Sequence, residues 1–350
     1  MTPELPDDLR AIRTACALAR NTTTRAVRLA GEGAREAALW LLPSRLHLRD
    51  AQARQSLLLD ETGRPLADVV VCADDEDYLL LVDGPGDPIA HLRAHARGDV
   101  EVRDLSADHD IVEVHGPWAW ELVAEVLGSD FLALPYLNFF RLDEGWCVRA
   151  GRTGEFGYQL VVDKSASAAL VARFLERGAD FDLVEVSPEA LSLCGFENWF
   201  FDAWHVPEGA TPIELQLQWR LVTDRDFLGR AAIDAHRPHA TRTQVCVVSA
   251  SELSPGAPVT LGRREIGTIT RAAFSPARGE WIASALVARE LAHGGIDRFE
   301  AGGRPILTVA PPLIDNRSLY VDPRRHSYRA RDEVDFGPLV REGRAKMGPA

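Results

Sequence analysis

The sequence predicts an α+β fold in which two similar lobes, each with an antiparallel sheet and helices, precede a small C-terminal β-barrel domain. Strand-like and helix-like segments follow one another in a similar order twice before residue 235, which predicts the two lobes. Beyond residue 239 the pattern changes to short strands separated by proline and glycine, which is typical of a small barrel.

The first predicted lobe combines helices with a strand meander. Residues 25–30 alternate between apolar and polar side chains, as in a strand, and apolar residues return every three to four positions over 31–42, as in a helix. Runs rich in branched residues follow, joined by good turn sequences. The remaining predicted elements are strands over 55–59, 66–73 and 77–82 and a helix over 88–97.

A second lobe with a similar order of elements is predicted next, which indicates a duplicated architecture. The barrel strands after it are short and are interrupted by proline and glycine. The predicted elements of the second lobe are a strand over 110–115, a helix over 117–127, strands over 138–142, 146–150 and 158–162, and a helix over 165–177. The predicted barrel strands are 244–248, 258–261 and 265–270.

Domain boundaries are predicted where the composition changes. A polar, proline-containing stretch at 235–239 follows the last apolar run of the lobes. From residue 323 onward, charges, proline and glycine replace apolar periodicity, which predicts a loosely ordered tail. The predicted units are therefore residues 1–234, 240–322 and 323–350.

Composition and charge restrict the classes of function. The 350 residues are 46% hydrophobic and 26% charged, as in a soluble globular protein with two or three domains. The 39 basic and 52 acidic side chains give a net charge of −13, which argues against nucleic acid or an anionic membrane as a partner. The five cysteines and the histidines lack metal-site spacing, so we predict no metal site. No signal peptide or apolar run of roughly 18 residues is apparent, so we expect a cytoplasmic protein.

A glycine-rich turn at residues 149–157 leads directly into an apolar strand and carries one carboxylate, Glu155. Glycine permits backbone angles closed to other residues and lets a ligand approach the main chain. The turn could therefore aim Glu155 at a ligand, although a solvated turn acid is an ordinary alternative.

Together with later segments, this turn resembles the aminomethyltransferase family, whose best-known member is the glycine cleavage T-protein. The family motifs are a Thr-Gly-Glu-x-Gly turn, an Ala-x-x-x-Leu-Arg-x-Glu helix, a Thr-Pro-x-Glu segment, an aromatic residue and a Phe-x-Gly-[Lys/Arg] signature. The matching segments, in chain order, are 153–157, 189–197, 211–214, Trp219 and 227–230. Residues 58–71 and 266–276 extend the resemblance, so that it covers about residues 26–322.

The resemblance implies two lobes and a barrel arranged around a central folate pocket, with tetrahydrofolate as the cofactor. It makes Asp68 the candidate catalytic carboxylate, which would exchange a proton with a folate nitrogen or stabilise developing positive charge. Strand alternation places Asp68 on the same side as Leu66 and Val70, an apolar setting. The alternative is a structural acid that closes the turn at Gly63.

The resemblance also implies three further acids for folate binding. Glu155 matches the acid of the glycine turn, Glu197 the acid that ends the family's helix, and Asp83 stands where the family has asparagine after the third meander strand. Carboxylates are suitable partners for the N–H donors of a pterin ring. A solvated turn acid and a helix surface acid remain the alternatives for Glu155 and Glu197.

One cation and one aromatic residue complete the predicted binding site. Arg225 is a candidate counter-charge for the folate glutamate tail, with Arg220 and Arg230 as competing candidates and a solvated surface role as the alternative. Trp219 is predicted to pack beside the ligand, or else to fill the core.

Departures from the family pattern guide the prediction of function. The helix motif has lost its basic residues, with Ser192 after Leu191, and Arg152 replaces the tyrosine that commonly precedes the glycine turn. We therefore predict a tetrahydrofolate-dependent one-carbon transferase that acts between folate and a small amine, ether or thioether. This makes a lipoyl carrier protein a disfavoured partner.

Two alternatives remain open. One is an authentic glycine cleavage T-protein, which the substitutions disfavour. The other is a non-catalytic folate-binding iron-sulfur assembly factor; such relatives have a Lys-Gly-Cys-x-x-Gly-Gln-Glu motif, whereas residues 223–231 contain no cysteine.

Overall fold

The computed structural model describes residues 5–340, and within them it contains two antiparallel lobe sheets and a closed barrel. The strands are β1 Ala17–Asn21, β2 Arg25–Ala30, β3 Ala53–Leu59, β4 Pro65–Asp74, β5 Asp77–Asp83, β6 Glu101–Asp104, β7 His109–His115, β8 Phe139–Leu142, β9 Gly145–Val148, β10 Gly157–Asp163, β11 Val184–Glu185, β12 Arg242–Ser249, β13 Pro258–Leu261, β14 Arg264–Ser275, β15 Glu280–Ala288, β16 Phe299–Ala301 and β17 Arg304–Val309. The helices are α1 Asp7–Thr14, α2 Ala34–Leu41, α3 Pro88–His95, α4 Ala119–Leu127, α5 Lys164–Gly178, α6 Pro188–Glu197 and α7 Arg230–His236. The predicted α+β fold class is confirmed.

The two lobe sheets pack back to back. The first has strand order β3-β4-β5-β2-β6 and the second has order β11-β1-β7-β10-β9-β8. Strand β4 shows why this arrangement needs a nearly continuous apolar run. Val69 and Val71 pack on the helices of the first lobe, whereas Val70 and Cys72 face the second sheet, so both faces of β4 are covered.

An amino-terminal strand completes the second sheet. Strand β1 pairs with β7 in antiparallel fashion and with the short β11 in parallel. The sequence predicts no element before residue 25, because β1 is short and contains two alanines and no β-branched residue. Helix α1, which precedes it, packs on α6 and so ties the chain's beginning to the segment that follows both lobes.

The carboxyl-terminal barrel closes through the pairing of β12 with β17, with strand order β12-β15-β14-β13-β16-β17. Its interior is a separate apolar cluster. A second, smaller cluster joins Phe196 of α6 to Cys246 and Ile282 of the barrel, so the barrel packs directly on the helix that matches the family motif. Within residues 5–340, no helix has both the length and the apolar character needed to cross a bilayer.

The segment after the barrel differs from the predicted loose tail over residues 323–340. Tyr328 is buried and stacks on Phe181, with its ring centroid 5.2 Å away, and its edge meets Trp118 at 5.8 Å. Its backbone N–H donates to Oε2 of Glu121 at 2.6 Å. Phe336 also packs on Trp118, so a few aromatic contacts hold a polar segment that lacks apolar periodicity. Residues 341–350 of the predicted tail lie outside the described residues.

We expect Tyr328→Ala to reduce the free energy of unfolding by about 3 kcal/mol, because it leaves a cavity in the core of the second lobe. Urea unfolding followed by circular dichroism measures this change. Tyr320→Ala, in the same segment but 37% exposed, is the control and should cost about 1 kcal/mol or less. Equal losses for the two variants would show that the segment is not anchored through Tyr328.

Candidate functional site

Two adjoining cavities lie on either side of the chain segment that follows α6. The first has a volume of about 560 Å³ and the second about 520 Å³. Both volumes fall within the range of small-molecule sites, roughly 300 to 1,000 Å³. The residues that line both cavities are Phe196, Phe200, Phe201, Asp202, His205 and Arg271.

The two ends of α6 determine where the residues shared by the two cavities lie. The Ser187 side chain caps the helix by accepting from the Ala190 N–H, and Pro188 occupies the first turn. The helix ends at Glu197, and Trp199 then adopts the left-handed conformation with φ of 62°, which reverses the chain. This reversal is what brings the aromatic run after α6 between the two cavities.

Two carboxylates face each other beneath this wall. Asp68 of β4 and Asp83 of β5 are directly opposite in the strand register. Like charges in such a pair repel unless a cation lies between them. The Arg152 guanidinium supplies that cation: it forms an ion pair with Asp83, and its Nη1 is 4.0 Å from Oδ2 of Asp68. Burial lowers the pKa of Arg152, but the neighbouring carboxylates raise it by a larger amount, so the net shift of this pKa is upward.

The sequence predicts an apolar setting for Asp68, but in the structure this carboxylate has charged partners. Arg220 Nη1 donates to Oδ1 of Asp68 at 2.6 Å and to the Ser56 carbonyl at 3.2 Å, and all these atoms are buried. Strand alternation predicts only which residues of one strand share a face, whereas Arg220 is more than 150 residues further along the chain. Arg220 lines the first cavity and Arg152 the second, so Asp68 lies between the two cations.

A third carboxylate, Glu113 of β7, lines the second cavity and was not predicted. Its Oε1 accepts from Asn21 at 2.8 Å and from Gln159 at 2.9 Å, and its Oε2 lies 3.2 Å from Nε2 of His115. Burial raises the pKa of Glu113, but the contact with His115 and the charge of Arg152 lower it to a net value of about 2. The signal was available, because polar residues alternate with branched ones in β7.

Glu155, predicted to bind folate, lies away from both cavities. Its carboxylate accepts from the backbone N–H groups of Arg317 at 3.1 Å and Ser318 at 2.8 Å, and from the Ser318 hydroxyl. Burial raises the pKa of Glu155, and the charge of Arg13 offsets this only in part. The glycine turn thus carries Glu155 into a buried junction with the segment after the barrel, because that segment offers unpaired backbone donors.

Glu197, also predicted to bind folate, belongs to the same buried junction. Its Oε2 accepts from Arg13 Nη2 at 2.7 Å and its Oε1 from the Ser275 hydroxyl at 2.6 Å. In the family motif the acid lies three residues after the leucine. If Leu191 is that leucine, the position of the acid is Cys194, one helical turn before Glu197. Arg13 of α1 therefore supplies a positive charge beside a helix that has lost its own basic residues.

Arg225 and Trp219 occupy contrasting positions. Arg225 donates to the backbone carbonyls of Leu39, Leu42 and Ser44, which satisfies the carboxyl end of α2 and leaves the guanidinium outside both cavities. Trp219 lines the first cavity and is 65% exposed, so it does not fill the core. Of the predicted site residues, the structure brings together Asp68, Asp83 and, at the edge of the first cavity, Trp219.

The described residues offer no alternative metal centre. Within residues 5–340, no group of three or more His, Cys, Asp and Glu side chains is arranged to hold a metal ion. The five cysteines are all buried without a disulfide bond.

Comparison with known proteins bears on both parts of the chain. Residues 1–225 match the family model of the GCVT N-terminal domain, and residues 242–315 match that of the glycine cleavage T-protein C-terminal barrel domain. The chain is 27% identical to an aminomethyltransferase of Thermotoga neapolitana over 262 residues, which is 72% of each protein. It is 28% identical to an aminomethyltransferase of Alcanivorax borkumensis over 311 residues, 83% of each.

A solved structure has the same fold. The glycine cleavage system aminomethyltransferase T from Bartonella henselae superposes with a TM-score of 0.80 at 21% identity, covering 89% of both chains. Together with the two family models, which span most of the sequence, this agreement confirms the resemblance that the motifs predicted. The chain belongs to the glycine cleavage T-protein family of tetrahydrofolate-dependent aminomethyltransferases.

Proposed function

We propose that this enzyme transfers a one-carbon group from an amine donor to tetrahydrofolate and releases the nitrogen of the donor as ammonia or as a demethylated amine. The observation that carries the proposal is the pair of adjoining cavities whose charged linings differ in sign. A transfer between two reactants needs both of them bound side by side, and a shared wall provides this.

The first cavity suits an anionic heteroaromatic ligand. Two guanidinium groups, Arg220 and Arg271, line it together with a single carboxylate, Asp202. Arg220 also pairs with Asp68, and Arg271 pairs with Asp202, but both line the cavity and could meet the glutamate tail of a folate. Trp199 and Trp219 offer flat surfaces for a ring. The protein's net charge of −13 would otherwise repel such a ligand, so this local field matters.

The second cavity suits a cationic ligand. Its lining contains one more acid than it has arginines. The acids are Asp83, Glu113, Glu189 and Asp202, and the arginines are Arg20, Arg152 and Arg271. A protonated amine is the complement of such a lining. Leu191, Leu193 and the aromatic residues of the shared wall exclude water around it.

Asp68 is the proposed electrostatic centre between the two sites. Tetrahydrofolate, when bound, would supply the nitrogen atoms that accept the carbon. From a lipoyl-bound aminomethyl group the carbon–sulfur and carbon–nitrogen bonds both break, which releases the thiol and ammonia. From an N-methylated amine the methyl carbon loses its single bond to nitrogen, which releases the demethylated amine, and neither route oxidises the carbon. Positive charge develops on the carbon in transit, and a fixed, buried carboxylate beneath the shared wall stabilises it. Arg220 and Arg152 adjoin the Asp68 carboxylate from two sides and hold it in one orientation.

The identity of the donor divides the proposal into two candidates. The curated relatives named aminomethyltransferase support an aminomethyl group carried on a lipoyl protein, as in a glycine cleavage T-protein. The loss of the basic residues in α6, where Ser192 follows Leu191 and both line the second cavity, favours a free small amine instead, because fewer cations then face a protonated donor.

Product release that depends on tetrahydrofolate tests the proposal. Purified protein is given either an aminomethylated lipoyl carrier protein, with ammonia measured, or free N-methylated amines, with the demethylated amine measured, each with and without tetrahydrofolate. We expect folate-dependent turnover with at least one donor class, and the productive class decides between the candidates. If neither class gives folate-dependent turnover while calorimetry shows that tetrahydrofolate binds, the transferase proposal fails.

A further inference from the structure

We propose that Glu113 and Gln159 form the subsite that binds the protonated nitrogen of the donor, in the second cavity. This inference rests on the proposed function, since it specifies how the donor of that reaction is recognised. The subsite lies on the adjacent strands β7 and β10, where Glu113 and Gln159 are directly opposite in the register.

An unpartnered acceptor marks this position as a binding site. The Gln159 amide nitrogen donates to Glu113, which fixes the orientation of the side chain, yet Oε1 of Gln159 has no hydrogen-bond partner among the described residues. Gln159 is 3% exposed and lines the second cavity. A buried acceptor without a partner costs free energy, and a ligand that donates an N–H removes that cost.

The local charge balance favours a cationic ligand. Three carboxylates, those of Asp68, Asp83 and Glu113, adjoin two guanidinium groups, those of Arg152 and Arg220. The carboxylates therefore outnumber the guanidinium groups by one, and the imidazole of His115 lies beside Glu113 at 3.2 Å. Excess buried charge is unfavourable, so a bound ammonium would be favoured by both its charge and its N–H groups.

The subsite is built from one face of the second lobe's sheet. Strands β1, β7 and β10 supply Asn21, Glu113 and Gln159 to this face, and His115 lies beside Glu113. Gly157 leaves room for His115, because a Cβ at residue 157 would lie 2.9 Å from Nδ1 of His115. An aminomethyl group or a methylated amine offers the N–H donors that Glu113 and Gln159 would accept.

Calorimetric titration of the full chain with methylammonium tests the proposal, with tetramethylammonium as a probe that has the charge but no N–H. We expect wild-type protein to bind methylammonium at millimolar concentration. Glu113→Gln should weaken that binding by at least about tenfold, as for loss of a charged partner. Asp110→Asn, on the same strand but outside the cavity lining, removes the same charge and should leave the affinity within about twofold.

Gln159→Met provides a second variant that keeps all five charged groups in place. It should weaken methylammonium binding by about threefold to tenfold and leave tetramethylammonium binding unchanged. Unchanged methylammonium affinity in both variants would overturn the proposal. The proposal would also be overturned if Glu113→Gln lost tetrahydrofolate binding and if methylammonium competed with tetrahydrofolate. Glu113 would then belong to the folate site. Amine binding without any folate binding would instead leave this subsite standing and reject the proposed function.

Discussion

Replacing Asp68 with asparagine is expected to lower kcat for folate-dependent ammonia release by about 10²-fold to 10³-fold. The substitution keeps the shape of the side chain but removes the charge that stabilises the carbon in transit, and loss of one such group typically has this effect. The dissociation constant for tetrahydrofolate should change by less than about threefold, because Asp68 is beneath the cavity wall rather than on it. Steady-state kinetics and calorimetry measure the two quantities separately.

A matched control separates this role from a structural one. Asp74→Asn alters another buried aspartate of β4, which accepts from Arg141 and Trp146 at the far end of the strand. Both variants remove one partner of an ion pair and should lose stability, but only Asp68→Asn should lose turnover. A similar fall in kcat for both variants, or an unchanged kcat for Asp68→Asn, would show that Asp68 acts only through stability.

The largest stability effect is expected at Arg13. Its guanidinium is 1% exposed and donates to Glu197 at 2.7 Å, to the Thr153 carbonyl at 2.7 Å and to Asn316 at 2.9 Å, with Glu155 at 3.9 Å. Arg13→Met leaves two buried carboxylates without their cation. We expect the free energy of unfolding to fall by about 3 to 5 kcal/mol at pH 7, measured by urea denaturation.

This loss should depend on pH. In the folded protein, burial raises the pKa of Glu155, and without Arg13 the rise becomes larger. At pH values between the pKa of Glu155 in the unfolded chain and its higher pKa in the folded variant, the folded state binds more protons than the unfolded state. The stability deficit of Arg13→Met should therefore be small below the unfolded value of about 4.3 and should grow as the pH rises through the folded pKa.

A control on the same helix isolates burial as the cause. Arg10 pairs with Asp7 on the exposed face of α1, and Arg10→Met should change stability by less than about 0.5 kcal/mol at any pH. If the deficit of Arg13→Met were the same at pH 4 and pH 7, the two glutamates would not be its source.

Much of the fold was predictable from local pattern. Strand β2 and strand β13 have the predicted bounds, and most other lobe elements agree with the prediction to within three residues at either end. Their residues bury one or both faces of a sheet, and burial leaves a period in the sequence. Strand β1 and the segment around Tyr328 were not predicted, because each is held by distant partners and leaves no such period.

The candidate site was less predictable than the fold. Asp68 and Asp83 were identified from the family motifs, and their opposition across β4 and β5 follows from the meander. Glu155, Glu197 and Arg225 carry equally strong local signals, yet the structure gives their charges internal partners. A motif specifies which residue stands at a turn or helix end, but it does not specify which surface that turn meets.

By itself, then, the sequence determined the family, the two lobes with their barrel, and the location of two aspartates on adjacent strands. Only the tertiary structure decided which charged groups face a cavity and which neutralise one another. The reason is physical: periodicity and turn chemistry act over a few residues, whereas an ion pair such as that of Asp68 with Arg220 depends on distances between segments far apart in the chain. The excess of carboxylates over guanidinium groups around Glu113, on which the proposed amine subsite depends, follows only from the positions of all five side chains in the tertiary structure.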